Sequence, residues 1–156
     1  MLVANAIAEV LKREKVKFII GYPVNPIIEA AAEADIRPII VRQERVGLHM
    51  ADAVSRLSSG DDIGVFVMQH GPGAENAFGG VAQAYSESVP ILVMPAGYQR
   101  RLANYFPNFN STQNMQHVTK WAEPLTMGKA LPEVMRRAFS QLRNGRGGPV
   151  LIEVPL

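Results

Sequence analysis

The chain has 156 residues, the size of one domain rather than two. Apolar residues make up 47% of it and charged residues 19%, which excludes a disordered chain and is enough for a core without staples. The net charge is only +2 and there is no cysteine, so a disulfide framework and a thiolate metal site are excluded, which fits a reducing cytoplasm. No apolar run approaches the roughly 20 residues of a membrane span. Met1 to Val10 carries Asn5 and Glu9, not the layout of a secretion signal. Arg136, Arg137, Arg143 and Arg146 are the one basic concentration, and they read as a solvated helical end rather than a nucleic-acid surface.

Two periodicities alternate along the chain. Val3, Ile7, Val10 and Leu11 share a helical face, and Phe18 to Ile20, closed by Gly21, reads as a buried strand. A helix begins near Asn25-Pro26, where proline is tolerated. Pro38 to Val41 reads as a second buried strand. From Glu44 to about Ser58 the helical stripe is Gly47, Met50, Ala51, Val54 and Leu57. Ile63 to Met68 is the third strand. Ala74 to Ser88 follows as a helix, with Ala74, Ala77, Phe78, Val81, Ala82 and Tyr85 on one stripe. Pro90 to Pro95 is the fourth strand, and Ala96 to about Asn114 reads as a long irregular loop. Leu125 to Met127 is a short strand, Leu131 to Leu142 the clearest helix, and Val150 to Val154 the last strand after Gly147-Gly148-Pro149.

Strands that are apolar throughout are those covered on both faces, and the intervening helices supply the crossovers of a parallel sheet. The expected fold is therefore α/β: a three-layer sandwich in one domain, residues 1–156, with a mainly parallel sheet of about six strands. Binding residues in such sheets lie beyond the carboxyl ends of the strands. That rule selects Gly21-Tyr22-Pro23, Arg42-Gln43-Glu44, Gln69 to Gly73, and the chain from Gly97 onward.

Glu44 opens a helix, where a carboxylate serves the macrodipole whatever else it does. Gly71-Pro72-Gly73 gives a bare backbone that a flat ring can approach closely. It is not the dinucleotide fingerprint, because Asn76 stands where the third glycine belongs, and no Lys-Ser or Lys-Thr pair follows to make a phosphate loop. Gly79-Gly80 inside a helix costs about 1 kcal/mol per residue, so close packing is expected there. His49 reads as packed or hydrogen-bonded, His117 as structural, and His70 as facing the cleft. Three isolated histidines make no metal site. Tyr98, Tyr105, Phe106 and Phe109 line a substrate channel or a subunit interface, or form a small apolar cluster under their loop.

Arg42-Gln43-Glu44 followed by His49-Met50-Ala51-Asp52-Ala53 resembles the glutamate-bearing stretch of thiamine-diphosphate enzymes of the acetolactate-synthase type. Gly71-Pro72-Gly73-Ala74 with Asn76, then Ala84-Tyr85 and Ser88-Val89-Pro90, is similar to that family's next block. Gly21-Tyr22-Pro23 and Gly147 to Pro155 fit in order and spacing. The resemblance spans nearly the whole chain and implies the family's pyrimidine-binding domain. It implies that Glu44 hydrogen-bonds N1′ of the cofactor's aminopyrimidine, promoting loss of the thiazolium C2 proton before attack on a 2-keto acid. A carboxyl in that role must be shielded from water to share a proton. Pro23, Gly71, Pro72, Gly73 and Asn76 would complete the cofactor wall, with His70 and Gln113 toward the substrate. The departures are His70 in place of a small hydroxyl residue, Val24 in place of glycine, and Phe109 and Gln113 where relatives carry an adjacent Phe-Gln pair.

In this family a magnesium ion and a second domain, bearing Gly-Asp-Gly and Asn-Asn, hold the diphosphate. Neither segment occurs in the sequence, and Asp61-Asp62 is a polar turn. The resemblance therefore implies one wall of a cleft, inactive alone, that needs a diphosphate-binding domain of the same or another chain, with a homodimer as the expected assembly. The alternatives are the alpha chain of a two-chain keto-acid decarboxylase and a non-catalytic docking domain of the same fold. Against the latter stands the retained Glu44.

Overall fold

The protein is described from a computed structural model that covers residues 2–103 and 105–155. Met1 and Leu156, the ends of the expected 1–156 domain, lie outside the described residues. The elements follow one another as α1 (Val3–Arg13), β1 (Phe18–Tyr22), α2 (Asn25–Glu33), β2 (Arg37–Ile40) and α3 (Glu44–Leu57). Then come β3 (Gly64–Met68), α4 (Pro72–Ser86), β4 (Ile91–Gly97), α5 (Ser111–Met115), β5 (Trp121–Pro124), α6 (Leu131–Arg143) and β6 (Val150–Pro155). The six strands form one sheet in the order β2-β1-β3-β4-β6-β5, and every neighbouring pair is parallel.

Side chains alternate across the pleat. Ile19, Val65, Val67, Leu92, Met94, Ile152 and Val154 therefore join the core on the side of α1, α2 and α6. Ile20, Phe66, Met68, Val93 and Leu151 join the core on the side of α3 and α4. Helices cover both faces, which makes the three-layer sandwich. Among the described residues no helix is long and apolar enough to cross a membrane.

Five expectations need correction. β2 is an edge strand rather than a buried one, and Ile40 is exposed, because the strand order leaves β2 only one neighbour. The fifth strand is Trp121–Pro124, not Leu125 to Met127; Trp121 and Ala122 pack on opposite faces of the sheet, and an edge strand tolerates Pro124 at its end. The inward face of α3 carries Glu44, Gly47, Leu48, Ala51, Asp52 and Ser55, while Leu57 is 88% exposed. On α4, Phe78 and Tyr85 point outward, and Gly80 and Ala84 take the inner stripe. The long loop is also shorter than expected, because β4 runs on through Gly97 and α5 closes its far end.

Close approaches clamp α3. The Gly64 N–H donates to Ser55 Oγ at 2.8 Å, and a Cβ at Gly64 would stand 1.9 Å from the Ala51 carbonyl oxygen. A Cβ at Gly80 would stand 2.4 Å from Leu48 Cδ2, so helix packing accounts for this glycine. It does not account for Gly79, where a Cβ would meet nothing within 4 Å. Gly79→Ala should therefore stabilise the chain by about 0.5–1 kcal/mol in urea unfolding, since the helix gains propensity without a clash. A loss of stability would show that Gly79 is needed within the chain.

Candidate functional site

The chain runs outward from β1 to the edge at β2, and from β3 the other way to β4. The carboxyl ends of β1 and β3 thus flank the point where strand order reverses, the place where open α/β sheets bind ligands. Register aligns those ends, since Tyr22 pairs with Met68 and Met68 with Pro95. Pro23, the Gln69 to Gly71 turn and Tyr98 consequently lie along one rim.

Glu44 is delivered to this rim by the first turn of α3 and is only 7% exposed. Its burial follows from the clamped α3, which brings the helix start against the start of α4. Asn76, one turn into α4, donates from Nδ2 to Glu44 Oε2 at 3.2 Å. Oε1 lies toward the backbone of Gly73, where a Cβ would come within 3.3 Å of it. Gly71 caps α4 with φ 59° and ψ −116°, a conformation open essentially to glycine. The arrangement is a shielded carboxylate, fixed through one oxygen, beside a backbone stripped of side chains.

The structure thus brings together Glu44, Gly71, Pro72, Gly73 and Asn76, with Pro23 exposed at the neighbouring strand end. His70 borders the same rim. Its ring packs on Tyr98 with centroids 4.5 Å apart at 60°, and its Nδ1 is buried without a hydrogen-bond partner. His70, Gly97, Tyr98, Gln99, Arg101 and Leu102 line a cavity of about 310 Å³. Gln113 stands apart on α5, exposed, in a second hollow with Tyr105, Phe106 and Asn110. His49 is exposed at the edge of Gly80 rather than packed away. The loop aromatics divide: Tyr98 belongs to the rim, Phe109 packs on the α3–α4 core, and Tyr105 and Phe106 are exposed. Among the described residues no group of three or more His, Cys, Asp or Glu is placed to hold a metal.

Sequence reasoning missed Glu153. It is buried on β6, its Oε2 accepts the Ser111 N–H at 3.0 Å, and burial pushes its carboxyl above the usual range. The signal was available, because an acid inside the apolar run Val150 to Val154 is out of pattern for a strand covered on both faces.

The domain is all-parallel α/β, with a shielded carboxylate beside the point where strand order reverses. The family model of the thiamine pyrophosphate enzyme N-terminal TPP binding domain matches residues 1–122. The chain belongs to that family, as the TPP-binding N-terminal domain of acetolactate synthase-like enzymes. It is 33% identical over 97% of its length to a probable acetolactate synthase large subunit of Methanocaldococcus jannaschii, of which it covers 26%. It is 29% identical to acetolactate synthase isozyme 3 large subunit of Escherichia coli, covering 27% of that protein. It is also 33% identical to 2-hydroxyacyl-CoA lyase 2 of Xenopus laevis, covering 24% of it. The chain spans about a quarter of the length of these relatives.

Proposed function

We propose that this chain is the pyrimidine-binding wall of a thiamine-diphosphate site in an enzyme that decarboxylates or joins small 2-keto acids. The reading rests on one observation, the buried Glu44 carboxylate lying between Asn76 and the bare backbone of Gly73. In this role Glu44 holds a proton at the ring nitrogen, Asn76 fixes the carboxylate, and Gly71 and Gly73 give the ring its backbone wall. When bound, the cofactor supplies an electron sink for the bond adjacent to a keto group. The remaining wall, with a magnesium ion on the diphosphate, is assigned to a diphosphate-binding domain of the same or a partner chain, in a dimer. His70 and Tyr98 face the substrate side, with Gln113 farther out. Relatives of equal identity bear the names of a synthase and a lyase, so the shared site is read as fixing cofactor handling rather than the acyl group.

The test is reconstitution. The chain is combined with a diphosphate-binding domain of an acetolactate synthase-like enzyme, thiamine diphosphate, magnesium and a 2-keto acid, and carbon dioxide release is followed. Release that requires both polypeptides is the expected outcome. Cofactor retained by the complex without any keto-acid turnover would overturn the catalytic part of the reading.

A further inference from the structure

Glu153 is 8% exposed, and among the described residues no cation pairs with it. A buried carboxylate without a counter-ion is costly and persists where hydrogen bonds compensate it. The compensation here comes from α5. The Ser111 N–H donates to Oε2 at 3.0 Å, and the Thr112 N–H also favours the charged form. These are the first two amides of a five-residue helix. Space is reserved for the contact, because a Cβ at Gly97 would stand 3.0 Å from both Cγ and Oε1 of Glu153.

Such a short helix has little stability of its own, since isolated helices below about 12–15 residues are marginal. It depends on anchors. Asn110 Oδ1 accepts the Gln113 N–H at 2.9 Å, Met115 is fully buried, and Glu153 takes the leading Ser111 amide. What α5 carries is cavity lining. Thr112 borders a cavity of about 320 Å³ with Glu153, Tyr98, Arg100 and Thr126, and Tyr98 is also a wall of the cavity beside His70. Gln113 follows Thr112 on the same turn.

We propose that Glu153 is a positioning residue: it grips the start of α5 from the end of β6 and so holds Thr112 in the wall of the cavity that adjoins the cleft at Tyr98. The substrate consequence rests on the proposed function, whereas the grip on α5 does not. The groups that face Glu153 are His70 from the β3 turn and Tyr98 and Arg100 from the β4 turn. The side chains of α5 are not ionisable, and Glu123 of β5 is committed to Arg137 on the other face of the sheet. Desolvation holds the Glu153 carboxyl above the usual range, opposed by the Ser111 and Thr112 amides and by His70. The docked state therefore binds the proton more tightly than the open one. The extra stability that protonation lends the docked state is full at acid pH and fades as pH rises through the native-state pKa, and the amide hydrogen bonds then hold the ionised carboxylate.

The test has two arms. In ¹H–¹⁵N spectra of the chain, the Ser111 and Thr112 amides should titrate together, at a pH above the ordinary glutamate range. Glu153→Gln keeps an acceptor oxygen, so it should leave α5 docked and abolish that titration, whereas Glu153→Ala should release α5. Amides that ignore pH in the unsubstituted chain would overturn the grip. In the reconstituted enzyme, Glu153→Ala should raise KM for the keto acid about tenfold with cofactor affinity unchanged, and Glu153→Gln should restore it. An unchanged KM in Glu153→Ala overturns the substrate role. Loss of turnover in the unsubstituted enzyme would instead count against the proposed function, leaving the amide titration to decide the grip.

Discussion

Glu44→Gln should lower keto-acid turnover in the reconstituted enzyme by about 10²–10⁴-fold, the usual contribution of a positioned proton-transfer group. Glutamine has nearly the same shape and can still meet the Asn76 side chain, but it cannot share a proton with a ring nitrogen. The fold should survive, since the substitution removes a charge from a shielded position without leaving a cavity. Steady-state kinetics and the rate of proton–deuterium exchange at C2 of bound thiamine diphosphate should fall together. If both rates stayed at the unsubstituted level, Glu44 would be only a helix-start carboxylate.

Gly64→Ala should be among the most destabilising single-methyl additions in the protein. Its Cβ would lie 1.9 Å from the Ala51 carbonyl oxygen and 2.6 Å from the carbonyl carbon, and these are backbone atoms that no rotamer change can move. Helix α3 would have to lift off β3, stretching the bond from the Gly64 N–H to Ser55. Overpacking of this kind costs roughly 3 kcal/mol. For a chain of this length that lowers Tm by roughly 6–12 °C in a thermal melt. The effect reaches the site because α3 carries Glu44, and a shift of about 1 Å at a reacting centre can cost on the order of 10²-fold in rate. A melt within 1–2 °C of the unsubstituted chain, about the effect of 0.5 kcal/mol or less, would show that the α3–β3 contact gives way cheaply.

The fold was legible because hydrophobic period and turn residues agree over most of the chain. Strands β1, β3, β4 and β6 are nearly uninterrupted apolar runs, and α6 repeats its apolar positions cleanly. Errors fell where burial is not apolar. The inner face of α3 uses Glu44, Asp52 and Ser55, because it must present a carboxylate, pair Asp52 with Arg56 and accept the Gly64 N–H. Local pattern reading therefore placed Met50 and Leu57 inward, and both are outside. The inner face of α4 is made of small residues, since Leu48 lies hard against Gly80, and this sent Phe78 and Tyr85 to the surface. The site was legible in its parts, through glycine placement and one acid at a helix start. Its assembly was not, because Asn76 meets Glu44 across 32 residues of chain and Glu153 meets Ser111 across 42.

The most direct measurement is a ¹H–¹⁵N titration of the chain with thiamine diphosphate. Amide shifts should be concentrated at Glu44, Gly71, Gly73 and Asn76 and be absent in Glu44→Ala. Shifts confined to other surfaces, or equal in the Glu44→Ala chain, would contradict the proposed cofactor site.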